Sequence, residues 1–232
     1  MLYIITNILS ALTIITLLGV FSLIYRQEIK KISILSITIC SVLIALSVIL
    51  TNFVGYSFIF FGATITIALG NFILFIIGML FGPVLGIISA IATDSLGSLI
   101  FINGPYHNGF MFNLVLYAIL GALTFCYKTQ KYWALKASIH YIVSFVLISF
   151  FFNTIWIYSI YENVGFTAAT FIIKLIKFPI SISIYIPITL SSFSLMYFLI
   201  NNNTSLDFWS KRKYLINIVR IKKVKKSQKT PE

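Results

Sequence analysis

Long apolar runs separated by short polar breaks organise this chain. They lie at about 2–25, 33–53, 63–81, 84–102, 109–127, 137–158 and 167–199. Each is continuous and longer than the ~10 alternating residues of a membrane barrel strand. In hydrocarbon every backbone N–H and C=O must find its partner within the protein, so runs of this kind predict helices. The weakest break is Gly82-Pro83, the only punctuation in about 38 apolar residues. Proline lacks the amide proton and pushes the preceding residue out of the helix, so a tight interhelical turn is expected there. One helix of that length would far exceed the membrane thickness.

Charge adds direction. From Ile32 to Tyr127, 96 residues carry one formal charge, Asp94. Three segments hold 15 of the 17 basic residues: Arg26 to Lys31, Lys128 to Lys136, and the tail from Lys211 to Lys229. With seven spans all three fall on one side. The opposite loops, near 54–62, 103–108 and 159–166, contain no Lys or Arg and only Glu162. Positive charge marks the cytoplasmic side, so the N-terminus is expected outside and the C-terminus inside a plasma membrane. The first run has no basic residue before it, is about 24 residues long and lacks a small-residue cleavage site. It is expected to be a retained span rather than a signal peptide.

The composition, 59% apolar and 9% charged, excludes an ordinary soluble domain and a disordered chain. It also excludes a nucleic-acid binder despite the net charge of +12, because no folded soluble module is present to carry that charge. The basic tail enforces topology or meets anionic lipid of the bilayer. Cys40 and Cys126 lie in apolar runs and read as small buried residues. There is no phosphate-binding G-x-x-x-x-G-K-[ST] loop and no H-E-x-x-H, and His107 and His140 fall on opposite sides. No catalytic set, metal site or cofactor is expected, and a self-powered pump would want more than one buried acid.

Three charges sit where a charge is costly: Asp94, Lys174 and Lys177. Asp94 shares a helix face with the small residues Gly86, Ala90 and Ser98, which predicts burial in protein. It is either a packing carboxylate or part of a ligand pocket. Lys174 and Lys177 lie three apart on one face, as an outer anchor or as a positive site for an anionic ligand. The chain holds 22 Phe, 13 Tyr and 3 Trp. Several cluster with amides at the outer span ends: Tyr56 and Phe58; Asn103, Tyr106, His107 and Asn108; Asn153, Trp156 and Tyr158. Belts explain any one of these groups. Together they outline a hollow with stacking faces and amide hydrogen bonds, suited to an aromatic small molecule.

The segments LFGPVLGIISAIATDSLGSLI (80–100), PYHNGFMFNLVLYAILGAL (105–123) and FNTIWIYSIY (152–161), followed by Lys174, Lys177, Pro179 and Ile180, carry a resemblance. In order, spacing and sidedness they resemble the folate-family S components, the substrate-capturing membrane subunits of energy-coupling-factor vitamin transporters. The resemblance covers about residues 33–199. It implies an all-α polytopic membrane bundle: a six-helix core over 32–200, preceded by an extra transmembrane helix and linker over 1–31 and followed by a basic tail over 201–232. It implies capture of a vitamin from outside and release inward powered by a coupling membrane protein and two ATPase subunits. The loop 54–62, with Gly55 and Gly62, would act as a lid. Ser41-x-x-x-Ala45 would be the small face that docks the coupling protein. Near the outer end of its first helix the family often carries arginine, where this chain has Asn52-Phe53.

The expected function is therefore capture of folate or a reduced folate. Tyr56, Phe58, Tyr106 and Trp156 would stack on the ring, Asn103 and Asn153 would bond to it, and Lys174 with Lys177 would meet the carboxylates. The alternatives are an S component for another vitamin, or a stand-alone secondary transporter or channel for a small organic anion. A structural membrane protein, its outer aromatics mere belts, is a third.

Overall fold

The apolar runs become helices, and their burial decides their order in space. The computed structural model describes residues 1–52, 56–60, 63–67, 70–101, 104–126, 132–161, 168–203 and 206–213. Helix α1 (Leu2–Ile24) leads through a short turn of helix, α2 (Arg26–Ile29), to α3 (Ile34–Asn52). A hairpin of β1 (Tyr56–Phe60) and β2 (Ala63–Ile67) follows, antiparallel, pairing Tyr56 with Ile67 and Phe60 with Ala63. Then come α4 (Asn71–Phe81), α5 (Pro83–Ile100) and α6 (Asn108–Leu123). Helix α7 (Trp133–Val146) runs through a π-helical segment, Leu147–Phe152, into α8 (Asn153–Ile160). Helix α9 (Ala168–Asn203) contains Pro179 and Pro187, and α10 (Trp209–Lys213) closes the described chain. Among the described residues, five helical stretches are long and apolar enough to cross a bilayer. The chain is a multi-pass helical membrane protein, as expected.

The third span is corrected in part. Residues 63–81 were expected as one helix, but 63–67 form a strand and the helix starts at Asn71. The reason is local: Ala63-Thr-Ile-Thr-Ile alternates with period two and is rich in β-branched residues, which favour strands. The remaining helix has only 11 residues, and every one from Phe72 to Phe81 is buried. An all-round apolar helix belongs inside a bundle, and α4 is the central post, packed by α3, α5, α6, α9 and α10. The expected turn at 82–83 is present. Gly82 has φ +89°, a left-handed value open to glycine, and Pro83 starts α5.

Lipid tails are as apolar as leucine, so helices in a membrane are held mainly by close packing rather than by a hydrophobic drive. The α4–α6 seam shows the consequence. A Cβ on Gly78 would lie 1.9 Å from the Ala118 carbonyl oxygen, and one on Gly121 would lie 2.1 Å from that of Phe75. Two backbones touch here with no room for a side chain. Below the seam the indole of Trp209 packs under Gly82 and donates from Nε1 to the Ala122 carbonyl at 3.3 Å. Replacing Gly121 by valine should therefore cost about 1–3 kcal/mol through forced separation of the helices. The check is the thermal midpoint in detergent, with Gly19→Ala as the control, since nothing lies within 4 Å of that position.

Candidate functional site

A cavity of about 580 Å³ opens toward the end of the bundle that carries residues 104–107. Its wall is assembled from α3 to α9, and α1 contributes no residue to it. Helix α5 supplies Asp94, and the face expected to be buried is so only in its first half: Ala90 is fully buried and Gly86 lies against Ala118, while Asp94 and Ser98 are half-buried and line the cavity. The Tyr106 hydroxyl donates to Asp94 Oδ2 at 2.9 Å. Burial, with the nearby Asp94 charge, pushes the Tyr106 phenol above its ordinary value, so it remains a donor. Four amides also face the hollow: Asn52, Asn71, Asn113 and Asn153. Lys177 and the phenols of Tyr117, Tyr141 and Tyr185 complete the far wall.

The π-helical segment explains how one long span lines the cavity over its length. Tyr141, Phe145, Ser149 and Asn153 are spaced by four and all lie on the wall. Four-residue steps drift around a helix of 3.6 residues per turn, and a wider π turn offsets that drift. π turns are frequent at functional sites.

The residues expected at the site fall into three groups. Tyr106, Asn153 and Lys177 lie on the wall. Trp156 and Lys174 do not. The Trp156 indole is buried behind the wall and donates to Asn113 Oδ1 at 3.1 Å, which orients an amide that does face the hollow. The Lys174 ammonium donates to the Thr154 hydroxyl beside the cavity. Asn103 lies outside the described residues, and Tyr56 and Phe58 are placed only as backbone of β1. The lid expected over 54–62 is likewise described only in part, as β1. Ser41 and Ala45, expected to dock a partner, are exposed on α3.

Sequence reasoning left Asp94 open and missed Asn71 and Asn113. Both amides interrupt apolar runs, in LGNFIL and FMFNLVL, and an amide inside a span needs a cavity or a partner. That signal was present. The tyrosine floor had none, because Tyr117, Tyr141 and Tyr185 sit at unrelated positions and meet only on folding.

His107 was expected among the outer aromatics and has a different place. It is fully buried and caps α6, its Nδ1 accepting from the Gly109 amide at 2.9 Å. Nε2 therefore carries the proton of the neutral ring and faces the hydroxyls of Thr6 at 3.0 Å and Ser159 at 3.2 Å. One imidazole thus joins α1, α6 and α8. Among the described residues no group of His, Cys, Asp and Glu could hold a metal ion.

This arrangement defines a helical membrane protein with a ligand-sized, mostly pre-formed hollow. No family model matches the chain, and no curated protein matches it. Among solved structures it is similar to FolT bound with folic acid, with a TM-score of 0.58 and 23% identity, over 76% of this chain and 98% of that one. The likeness shows a shared fold.

Burial pushes the His107 pKa below 6.5. The unfolded chain then binds a proton that the folded chain refuses, so stability is complete above about pH 6.5 and falls as pH drops below it. The thermal midpoint should fall between about pH 7 and pH 5, and His107→Asn should flatten that slope relative to the native chain.

Proposed function

We propose that this chain is the substrate-capture subunit of an energy-coupling-factor transporter and that it binds folic acid or a related folate. The observation that carries the reading is the wall of the hollow: one carboxylate, four amides and one lysine among phenol and phenyl rings, in a bundle with the fold of a protein solved with folic acid bound. A volume of about 580 Å³ falls within the range of sites for drug-sized ligands. The chemistry is complementary. A pteridine ring has an edge of adjacent N–H donors, which a carboxylate such as Asp94 accepts. Its carbonyl and ring nitrogens suit the amides of Asn71, Asn113 and Asn153. Tyr106 and Phe110 offer faces for stacking, and Lys177 offers charge to the glutamyl carboxylates. Trp156 and Lys174 act from behind, by holding Asn113 and Thr154.

In this reading residues 32–200 are the capture unit, with the N-terminus outside and the tail from 201 in the cytoplasm. A separate coupling membrane protein and two ATPases drive delivery, because this chain carries no phosphate-binding loop. The coupling protein docks on the small face of α3. Helix α1 packs on α5, α6 and α8, which leaves Ser41 and Ala45 open.

Folic acid should raise the thermal midpoint of the purified chain in detergent, following RT ln(1 + [L]/Kd). Asp94→Asn should cut affinity at least about tenfold, the scale of one lost charged hydrogen bond. No shift with folic acid or a reduced folate at saturating concentration would overturn the substrate. Ion-driven uptake by this chain alone in liposomes would overturn the subunit reading in favour of a stand-alone carrier.

The docking claim has its own measurement. Ala45→Trp should reduce co-purification with the coupling protein severalfold while leaving folic acid binding unchanged. Equal co-purification would remove α3 as the docking face.

A further inference from the structure

The first two turns of α1 carry three polar residues that bond outside their own helix, whereas Ser10, Thr13 and Thr16 bond carbonyls within it. Tyr3, Thr6 and Asn7 stand at spacings of three and four, so they share one face. Together they meet three consecutive residues, 106–108, at the corner that enters α6. The Tyr3 hydroxyl donates to the Tyr106 carbonyl, and its ring packs edge-on against His107 at 5.5 Å. The Thr6 hydroxyl bonds His107 Nε2 at 3.0 Å. Asn7 Oδ1 accepts both from the Asn108 amide at 2.9 Å and from Asn108 Nδ2 at 2.7 Å. At its other end the corner turns at Gly104, whose φ of +124° is open to glycine. Between these two points stands Tyr106, whose side chain reaches Asp94 on the cavity wall.

We propose that the first turns of α1 are a positioning element for the ligand cavity: Asn7, with Tyr3 and Thr6, fixes the 106–108 corner so that the Tyr106 hydroxyl meets Asp94. Helix α1 contributes no residue to the wall of the hollow, and its polar face bonds the corner that does. Its role is distinct from an anchor's. An anchor needs apolar length, which the rest of α1 supplies, and has no use for three matched hydrogen-bonding groups. The consequence for binding is preorganisation. A free Tyr106 would leave Asp94 to be realigned by the ligand, at a cost in affinity. This consequence rests on the folate reading, whereas the hold on the corner does not.

Asn7 acts only as an acceptor in these contacts, so aspartate can replace it and alanine cannot. In the full chain purified in detergent, Asn7→Ala should raise exchange of the Asn108 amide hydrogen at least about tenfold while amides within α6 keep their protection. Folic acid binding, read by calorimetry, should weaken roughly tenfold in Asn7→Ala and remain within about threefold in Asn7→Asp. Placed on Tyr106→Phe, Asn7→Ala should add less than about a further twofold, because both changes break the same link. Should Asn7→Ala fail to fold, Tyr3→Phe removes one bond of the set and should shift both readouts in the same direction. Unchanged Asn108 exchange would overturn the hold on the corner. Full multiplication of the Asn7 and Tyr106 effects would overturn its action through Tyr106. If the native chain binds no folic acid, the folate reading fails, and the exchange measurement still decides whether α1 holds the corner.

Discussion

Inside a bilayer a polar group finds its partner in the protein or finds none. That constraint arranges most of what is specific in this molecule. The apolar residues face lipid or each other with little to choose between the two. The amides, hydroxyls and few charges have no such freedom, and where they gather they create the two features that matter: a hollow walled by Asp94, Lys177 and four asparagines, and a corner at residues 106–108 bonded to the start of α1. The backbone obeys the same rule. The strand residues 63–67 pair in a hairpin, and Ser47 of α3 donates to the carbonyl of Gly70, just before α4, at 2.9 Å.

The hollow exists because the post beside it is short and tightly gripped. Helix α4 spans only 11 residues. Its contact with α6 is backbone against backbone at Gly78 and Gly121, which draws those helices together on one side of the post. Above its start, where the chain has turned into a hairpin, the surrounding longer helices continue and enclose space. Asn71, the first residue of α4, faces into that space. The π turn between α7 and α8 keeps a column of residues directed at it. The hollow and the fold are thus joined at the same seam: the helix that is too short to fill the bundle leaves room beside it.

The corner shows how one loop can hold a helix start and line the hollow at once. His107 is buried among three helices, sets the cap of α6 and lines the hollow beside its neighbour Tyr106. A single residue is therefore both a structural pin and part of the wall. On the other wall Trp156 and Lys174 serve the hollow without lining it, each bonded to a residue instead.

Much of this was legible in advance because the physics was local. Span length, the break at Gly82-Pro83 and the buried face of Asp94 follow from hydropathy, proline geometry and helical spacing, which neighbouring residues decide among themselves. Of the four amides on the wall the sequence reading singled out only Asn153 for the site, although Asn71 and Asn113 also interrupt apolar runs. What stayed hidden was distance in sequence and direction in space. Period two at 63–67 was masked by the apolar run around it. Trp156 and Asn153 both lie on α8, yet Asn153 lines the hollow while Trp156 turns to Asn113 on another helix, a partner that only packing supplies. The tyrosine floor and the bond from Asn7 to Asn108 join residues that only packing brings within reach. The order of residues determined which segments enter the membrane and which groups need partners there; tertiary structure alone decided which partners they take, because that choice depends on helix rotation and contact across the bundle.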